Sequence, residues 1–136
     1  MFNDEQILLQ AEIIAIGNEI ISGLIQDTNG RYLSKQLHLL GINVLRITAV
    51  GDDKESISRL VGDALGRVNI VIITGGLGST HDDITKDVLA KVFNSKMIID
   101  NQVMSMLEVN FKKRGQDIPA KVRSQYEVPE EATILY

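Results

Sequence analysis

The sequence predicts an α/β fold in which a mainly parallel β-sheet carries helices on both faces. The apolar runs Ala11–Ile16 and Ile70–Ile73 are typical of buried strands, and Ile42–Val50 is predicted as a further strand between them. The two segments between them place apolar residues at helical spacing, and a third helical pattern follows the last run. Strands that alternate with helices favour a parallel sheet, because each helix can return the chain to the same end of the sheet.

The first two helices are predicted by an apolar stripe and by a glycine at the end of each. Leu33 and Leu37 lie at helical spacing within the first helix, Asn29–Leu40, and Gly41 follows it as a C-terminal stop. The second helix ends near Gly66, and its apolar positions are Ile57, Leu60, Val61, Ala64 and Leu65.

The C-terminal half continues the alternation with shorter elements. A third helix is predicted over Asp83–Phe93, and a short strand over Met97–Ile99. A fourth helix is predicted over Gln102–Arg114, and a last strand over Thr133–Leu135.

Composition excludes several classes of protein. The length of 136 residues and the apolar content of 44% fit one domain with an aliphatic core, and the net charge of −4 argues against general binding to nucleic acid or acidic lipid. The absence of cysteine excludes disulfides and cysteine-based zinc sites, and His38 and His81 are too few for a histidine metal cage. No long apolar segment predicts a membrane span, and Met1–Glu5 lacks the basic start of a signal peptide, so we expect a cytoplasmic protein.

Three loops follow the three predicted strands, and each contains glycine and at least one carboxylate. They are Gly17–Gly23, Gly51–Asp53 and Gly75–Asp83. Right-handed crossovers place the carboxyl ends of parallel strands at one edge of the sheet, where ligands of open α/β sheets bind. The sequence therefore predicts a ligand site at this edge.

The loop after the third strand has the features of an anion site. Gly75, Gly76 and Gly78 allow the backbone to approach a ligand closely, and the N–H groups at the start of the next helix favour a phosphate or pyrophosphate. The alternative is a tight strand-to-helix turn, in which Thr80 caps the helix and Asp83 completes a capping box. Such a turn explains Thr80 and Asp83, but it does not explain three glycines together with Asp82.

Two adjacent carboxylates, Asp82 and Asp83, lie where the phosphate is predicted. At a separation of about 4 Å and an effective dielectric constant of about 20, a carboxylate and a phosphate repel by about 4 kcal/mol. A divalent cation such as magnesium or manganese between the two groups would turn this repulsion into a net attraction. We therefore expect a metal to bind together with the ligand. The alternative is that Asp82 faces solvent and Asp83 only caps the helix.

The other two loops offer further candidates. Asp53 is placed to cap the following helix, while Asp52 is a candidate metal ligand or water-positioning group opposite Asp83, and a structural role for both remains open. Glu19 is a candidate base or ligand, or a surface residue. At least one residue of Asp27–Asn29 is expected to cap a helix. His81 could contact phosphate, but a lone loop histidine is more often incidental.

Four blocks of sequence, taken together and in order, resemble the molybdopterin-binding-like domain of the competence/damage-inducible CinA family. The blocks are Ala11–Gly23, Asp27–Asn29, Val50–Asp53 and the glycine-rich segment Thr74–Thr85. The similarity covers nearly the whole chain. The same domain type occurs in molybdenum-cofactor enzymes that adenylylate molybdopterin, and beside eukaryotic FAD synthase.

This resemblance implies a three-layer α/β/α sandwich with a site for phosphorylated ligands at the strand ends. For the CinA family it implies a metal-dependent ADP-ribose pyrophosphatase, and for the molybdopterin enzymes a molybdopterin ligand. Asp83 matches the aspartate that is central to catalysis in the molybdopterin enzymes, and Asp52 matches their aspartate after the second strand. The glycines of their Gly-Gly-x-Gly element match Gly75, Gly76 and Gly78.

The chain departs from the family pattern at three places. Asn18 replaces the usual threonine or aspartate, and Ser79 replaces the usual proline. After the segment Pro129–Leu135 the family continues into an asparagine- and glycine-rich loop that helps to enclose the ligand, and often into an amidase domain, whereas this sequence stops at Tyr136. We therefore expect residues 1–136 to form a single domain that is truncated at its C-terminal end. The resemblance also implies self-association as a dimer or a trimer.

These observations lead to three functional hypotheses: hydrolysis of a nucleotide pyrophosphate such as ADP-ribose, binding of molybdopterin or another phosphorylated ligand without turnover, and a purely structural domain. The predicted catalytic residues and metal ligands are the same three aspartates, Asp83, Asp52 and Asp82. The predicted substrate-binding residues are Gly75, Gly76, Gly78, Ser79, Thr80, Gly17, Glu19, Thr28 and Asn29.

Overall fold

The computed structural model describes residues 8–135 and divides the chain into two units, Met1–Gly75 and Gly76–Tyr136. The N-terminal stretch Met1–Glu5, on which the signal-peptide argument rested, lies outside the described residues. No helix among residues 8–135 is long and apolar enough to cross a lipid bilayer.

The first unit holds a parallel sheet with a helix in each crossover. Its strands lie in the order β2-β1-β3, so the first strand is central and pairs on both sides. The predicted strands and helices of this unit are confirmed, with small shifts at their ends. In chain order the elements are β1 (Gln10–Ile16), α1 (Asn18–Ile21), α2 (Thr28–Leu39), β2 (Asn43–Val50), α3 (Lys54–Leu65) and β3 (Ile70–Thr74).

Helices α2 and α3 cover opposite faces of this sheet. The crossover from β1 to β2 runs in one direction across the sheet, and the crossover from β2 past β1 to β3 runs in the other. Because both crossovers are right-handed, their helices lie on opposite faces of the sheet. On one face, Leu37 of α2 packs with Ala11 and Ile13 of β1. Helix α3 buries its own apolar stripe and contacts β1 and β3. This is the three-layer α/β/α arrangement that the sequence predicts.

Strand β1 is the core of the first unit. From Ala11 to Ile16 no residue is more than 3% exposed. Burying one isoleucine side chain of this strand contributes roughly 1.5 to 3 kcal/mol. The charged residue in the strand, Glu12, accepts two hydrogen bonds of 2.9 Å from the guanidinium of Arg67, and these bonds hold the pKa of Glu12 below its ordinary value against the opposing effect of burial.

Local signals fix the ends of both long helices in this unit. Asp27 accepts a hydrogen bond of 2.8 Å from the Gly30 N–H at the start of α2, and Asp53 accepts one of 2.8 Å from the Ser56 N–H at the start of α3. Gly41 follows α2 with a φ of 75°, as a C-terminal stop requires. The predicted caps are thus confirmed for Asp27, Asp53 and Gly41.

The second unit contains α4 (Thr85–Val92), β4 (Met97–Ile99) and α5 (Asn101–Lys113), followed by a 3-10 helix (Ala120–Gln125) and β5 (Glu127–Pro129). Strands β4 and β5 pair in antiparallel fashion. The predicted short strand over Met97–Ile99 is confirmed. Asp100 caps α5 by accepting hydrogen bonds from the N–H groups of Gln102 and Val103.

Two expectations for the second unit are wrong. The last strand is β5, so Thr133–Leu135 is not a strand, because residues 127–129 take the pairing positions beside β4. Helix α4 begins at Thr85 rather than at Asp83, because the residues before it form a turn of their own.

Candidate functional site

The carboxyl ends of β1 and β2 are joined by a reciprocal pair of hydrogen bonds between Asn18 and Asp52. The Asn18 N–H donates to Asp52 Oδ2 at 3.0 Å, and the Asp52 N–H donates to Asn18 Oδ1 at 3.1 Å. Just before this pair, the Gly17 N–H donates to the Val50 carbonyl at 2.9 Å. The first two predicted loops are therefore in contact, and Asp52 connects them.

Glu19 lies on the short helix α1, which begins directly after Gly17. A Cβ atom on Gly17 would come within 2.5 Å of Glu19 Oε1, so the carboxylate of Glu19 folds back over the glycine. Glu19 is nevertheless exposed. A bulkier residue at position 17 would displace the carboxylate, which makes Gly17 a determinant of where that negative charge lies.

The end of β3 reaches the same edge of the sheet. Asn29 Nδ2 donates to Thr74 Oγ1 at 3.1 Å, which ties the first turn of α2 to β3. The next residue, Gly75, has a φ of 96°, and a Cβ atom there would lie 1.9 Å from the carbonyl oxygen of Ile16. Only glycine fits this position. Thr28, the first residue of α2, is exposed.

In the second unit, the glycine-rich loop is organised around the carboxylate of Asp83. Asp83 Oδ2 accepts a hydrogen bond from the Thr80 N–H at 2.7 Å and another from the Thr80 hydroxyl at 2.5 Å. The hydrogen bond from the Thr80 hydroxyl is the main cause that lowers the pKa of Asp83, whereas burial raises it. The Thr80 N–H, the Gly78 N–H and the charge of Lys86 lower this pKa further. The loop thus binds an anion that belongs to its own chain.

This geometry corrects the capping-box alternative. Asp83 reaches back to Thr80, but the pair stands before the helix, since the N-cap position of α4 is Ile84 and has no side-chain cap. Neither residue therefore caps α4. The N–H of Thr85, the first helical residue, instead donates to the Gly76 carbonyl at 3.1 Å.

The neighbouring loop residues differ in their surroundings. Asp82 and His81 are exposed, and Ser79 is half-buried. Within residues 8–135, the Asp82 carboxylate and the Ser79 hydroxyl form no hydrogen bond. The two adjacent aspartates are therefore not equivalent, because Asp83 is held by the loop and Asp82 is free to meet a ligand or solvent.

A lysine in the first turn of α4, Lys86, was not singled out from the sequence. Lys86 Nζ donates to the carbonyl of Ser124 and, at 3.0 Å, to the carbonyl of Glu127, so it ties α4 to the 3-10 helix and to β5. Its partial burial lowers its pKa, while Glu127, Asp87 and Asp83 act in the opposite direction. Lys86 is therefore a positive charge held in place near the anion-binding loop.

Sequence reasoning also missed the connecting roles of Asn18 and Thr74. Asn18 was noticed only as a departure from the family pattern, and its position directly after a strand was the available signal. Thr74 ends an apolar run with a hydroxyl, which is a polar group at a strand end. Neither partner could be identified from spacing, because the partners lie 34 and 45 residues away.

The three predicted metal ligands are divided between the two units, and neither unit holds a preassembled metal centre among its described residues. Over the described part of the chain, no group of three or more histidine, cysteine, aspartate or glutamate residues is arranged to hold a metal ion. The carboxylate of Asp83 is engaged with Thr80, and that of Asp52 with the Asn18 N–H. Asp82 is the free carboxylate of the three.

Comparison with known proteins identifies sequence relatives over nearly the same span. Residues 12–133 match the model of a family described as "Probable molybdopterin binding domain". A CinA-like protein from Gemmatimonas aurantiaca is 41% identical over 128 residues, which covers 93% of this chain and 30% of that protein. The chain thus spans about a third of the length of the curated relatives it matches.

Solved structures extend the similarity to the fold. The protein CinA from Thermoplasma acidophilum superposes with a TM-score of 0.80 at 32% identity, over 90% of this chain and 71% of that chain. The molybdopterin biosynthesis Mog protein from Mycobacterium ulcerans has a TM-score of 0.61 at 23% identity, over 86% of this chain and 73% of its own. The second likeness concerns the fold alone.

Proposed function

Since this chain belongs to the molybdopterin-binding domain family as a CinA-type member, we propose that it binds a phosphorylated small molecule at the loop Gly76–Asp83. The observation that carries the proposal is the set of donors around Asp83. The Thr80 N–H, the Thr80 hydroxyl and the Gly78 N–H are directed at one carboxylate, which supports an anion-binding role for this backbone.

Donors remain for a ligand phosphate beside that carboxylate. Among residues 8–135, the N–H groups of Leu77, Ser79 and His81 have no hydrogen-bond acceptor, and the Ser79 hydroxyl adds a fourth donor. Lys86 contributes a positive charge that acts on Asp83 of the same loop. Donors fixed before binding offset the cost of ordering a ligand, because the loop does not have to rearrange to present them.

The first unit carries a second group of candidate ligand contacts in this proposal. Glu19, Thr28 and Asn29 lie at or near strand ends, and Asp52 joins two of the loops there. Their contribution is tested separately, with Glu19→Gln and Thr28→Ala. The self-association as a dimer or trimer that the resemblance implies belongs to the same proposal, and light scattering on the purified chain measures it.

Calorimetric titration tests the proposal, with ADP-ribose and molybdopterin as ligands and with magnesium or manganese either present or absent. The informative variant is Gly78→Ala, because a Cβ atom at Gly78 would meet Asp83 Oδ2 at 2.6 Å and displace the carboxylate from its hydrogen bonds with Thr80. We expect at least about a ten-fold loss of affinity, since the loop would no longer present its donors in a fixed arrangement. The matched control is Gly62→Ala, where a Cβ atom meets nothing within 4 Å. Equal affinity in both variants, or no heat with either ligand, refutes the proposal.

Hydrolysis of ADP-ribose is the second candidate, and the free carboxylate of Asp82 in the loop favours it. Water would add across the pyrophosphate bond to give AMP and ribose 5-phosphate, and Asp82 could orient that water. Chromatography of the products, with and without added magnesium, distinguishes turnover from binding. If Asp82→Asn and Asp83→Asn release AMP as fast as the parent, these aspartates have no catalytic role.

A further inference from the structure

A groove between α2 and the start of β2 is lined by cationic and donor side chains that the proposed ligand site does not use. Its volume is about 360 Å³. It lies in the first unit, along the length of α2 and away from the strand ends described above. Its lining residues are Arg31, Ser34, Lys35, His38, Asn43 and Val44.

The basic residues of this groove stand on one stripe of the helix. Arg31, Lys35 and His38 are spaced by four and then three residues, which places them on the same face of α2. The like charges of Arg31 and Lys35, four residues apart, repel one another. The segment Thr28–Leu39 contains no aspartate or glutamate that could relieve the repulsion, although the chain as a whole has a net charge of −4.

None of these groups is neutralised within its own unit. Over residues 8–135, Arg31, Lys35 and His38 form no salt bridge, and the side chains of Ser34 and Asn43 form no hydrogen bond. Arginine and lysine offer only donors, and histidine, serine and asparagine can each donate as well. A concave surface with this inventory is complementary to an anion that carries several acceptor oxygens.

We propose that the α2–β2 groove binds the phosphate groups of a small polyanion such as a diphosphate. The planar guanidinium of Arg31 can engage two phosphate oxygens at once, and Lys35 supplies a point charge one turn further along. The hydroxyl of Ser34, which also lines the groove, adds a further hydrogen-bond donor. This site does not include the loop Gly76–Asp83, and the proposal does not depend on the proposed function.

Nuclear magnetic resonance with inorganic diphosphate as the probe tests the groove. Amide resonances are followed during titration of the ¹⁵N-labelled chain, and sodium chloride at matched ionic strength serves as the screening control. We expect saturable shifts at Ser34, Lys35 and Asn43. Shifts that sodium chloride reproduces, or the absence of shifts at millimolar diphosphate, overturn the proposal.

The decisive variant is the double substitution Arg31→Gln with Lys35→Gln. Both side chains are exposed and glutamine has a similar helix propensity, so the fold is retained. We expect diphosphate affinity at the groove to fall at least about ten-fold, while any shifts at residues 76–83 stay unchanged. The control is Lys54→Gln with Arg59→Gln on α3, which removes the same charge outside the groove. Equal losses in both double variants would show only a response to net charge and would refute the site.

Discussion

Replacement of Gly75 by alanine is the sharpest test of how β3 leads into the glycine-rich loop. The added Cβ atom would lie 1.9 Å from the carbonyl oxygen of Ile16, and the contact is with backbone, which cannot rotate away. The φ of 96° adds about 1 to 2 kcal/mol for a residue that has a Cβ atom. If β1 and β3 separate locally, one or two strand hydrogen bonds are lost at about 1 kcal/mol each.

We therefore expect Gly75→Ala to lower the free energy of unfolding by about 3 kcal/mol, which for a chain of this size corresponds to a fall in Tm of about 10 °C. Thermal and urea unfolding, followed by circular dichroism, measure it. Gly41→Ala is the matched control, because its φ of 75° imposes the conformational cost but nothing lies within 4 Å of the added atom. Gly62→Ala, in a helix with open space around it, should stabilise by about 0.5 to 1 kcal/mol. If Gly75→Ala costs no more than Gly41→Ala, the close approach to Ile16 is not a constraint in the folded protein.

Three further predictions concern the ion pair and the carboxylate bonds. Arg67→Ala leaves the buried carboxylate of Glu12 without its partner, so burial raises the pKa of Glu12, and the stability deficit of the variant should widen as the pH rises from about 4 to 7. Asp27→Ala removes the cap of α2 and should cost about 1 kcal/mol, measured by urea unfolding. Thr80→Val removes the hydroxyl that lowers the pKa of Asp83. A carboxylate whose pKa is lowered by folding stabilises the folded state at a pH above the ordinary aspartate pKa, and this stabilisation is lost as the pH falls below that value. The difference in unfolding free energy between the parent and this variant should therefore shrink as the pH falls below about 4.

Each of these predictions has an outcome that contradicts it. A deficit of Arg67→Ala that is constant across pH means that Glu12 does not depend on the guanidinium for its ionisation. Asp27→Asn keeps an acceptor for the Gly30 N–H and is the control for the cap, so equal losses in the asparagine and alanine variants would exclude the hydrogen bond as the cause. A parent–variant difference for Thr80→Val that persists at pH 2 would show that packing, rather than the bond to Asp83, accounts for the loss.

The sequence predicted the elements whose signals are local. The buried run Ala11–Ile16 identified the central strand because both of its faces are covered, and such strands are apolar throughout. Asp27 and Asp53 were identifiable as caps because each binds an N–H group only three residues ahead. Gly41 was identifiable because a left-handed residue after a helix is usually glycine.

Features that depend on distant partners were missed or misplaced. Helix α1 has four residues and begins where Asp52, from another loop, accepts its first N–H, so no periodic pattern predicts it. Strand β5 was misplaced because three residues carry no clear alternation and Pro129 is a poor strand residue, whereas the pairing with β4 decides the register. The unequal roles of Asp82 and Asp83 also depend on the turn geometry, which adjacency in sequence does not reveal.

The central position of β1 has a consequence for how the chain is made. This strand is synthesised before both of its parallel neighbours, which end at Val50 and Thr74, so its last partner residue follows Ile16 by 58 positions. At about 5 to 20 residues per second, the ribosome needs roughly 3 to 12 s to make that stretch. During this interval at least one edge of the nascent apolar strand has no partner, and it is exposed to chaperones and to other unfinished chains.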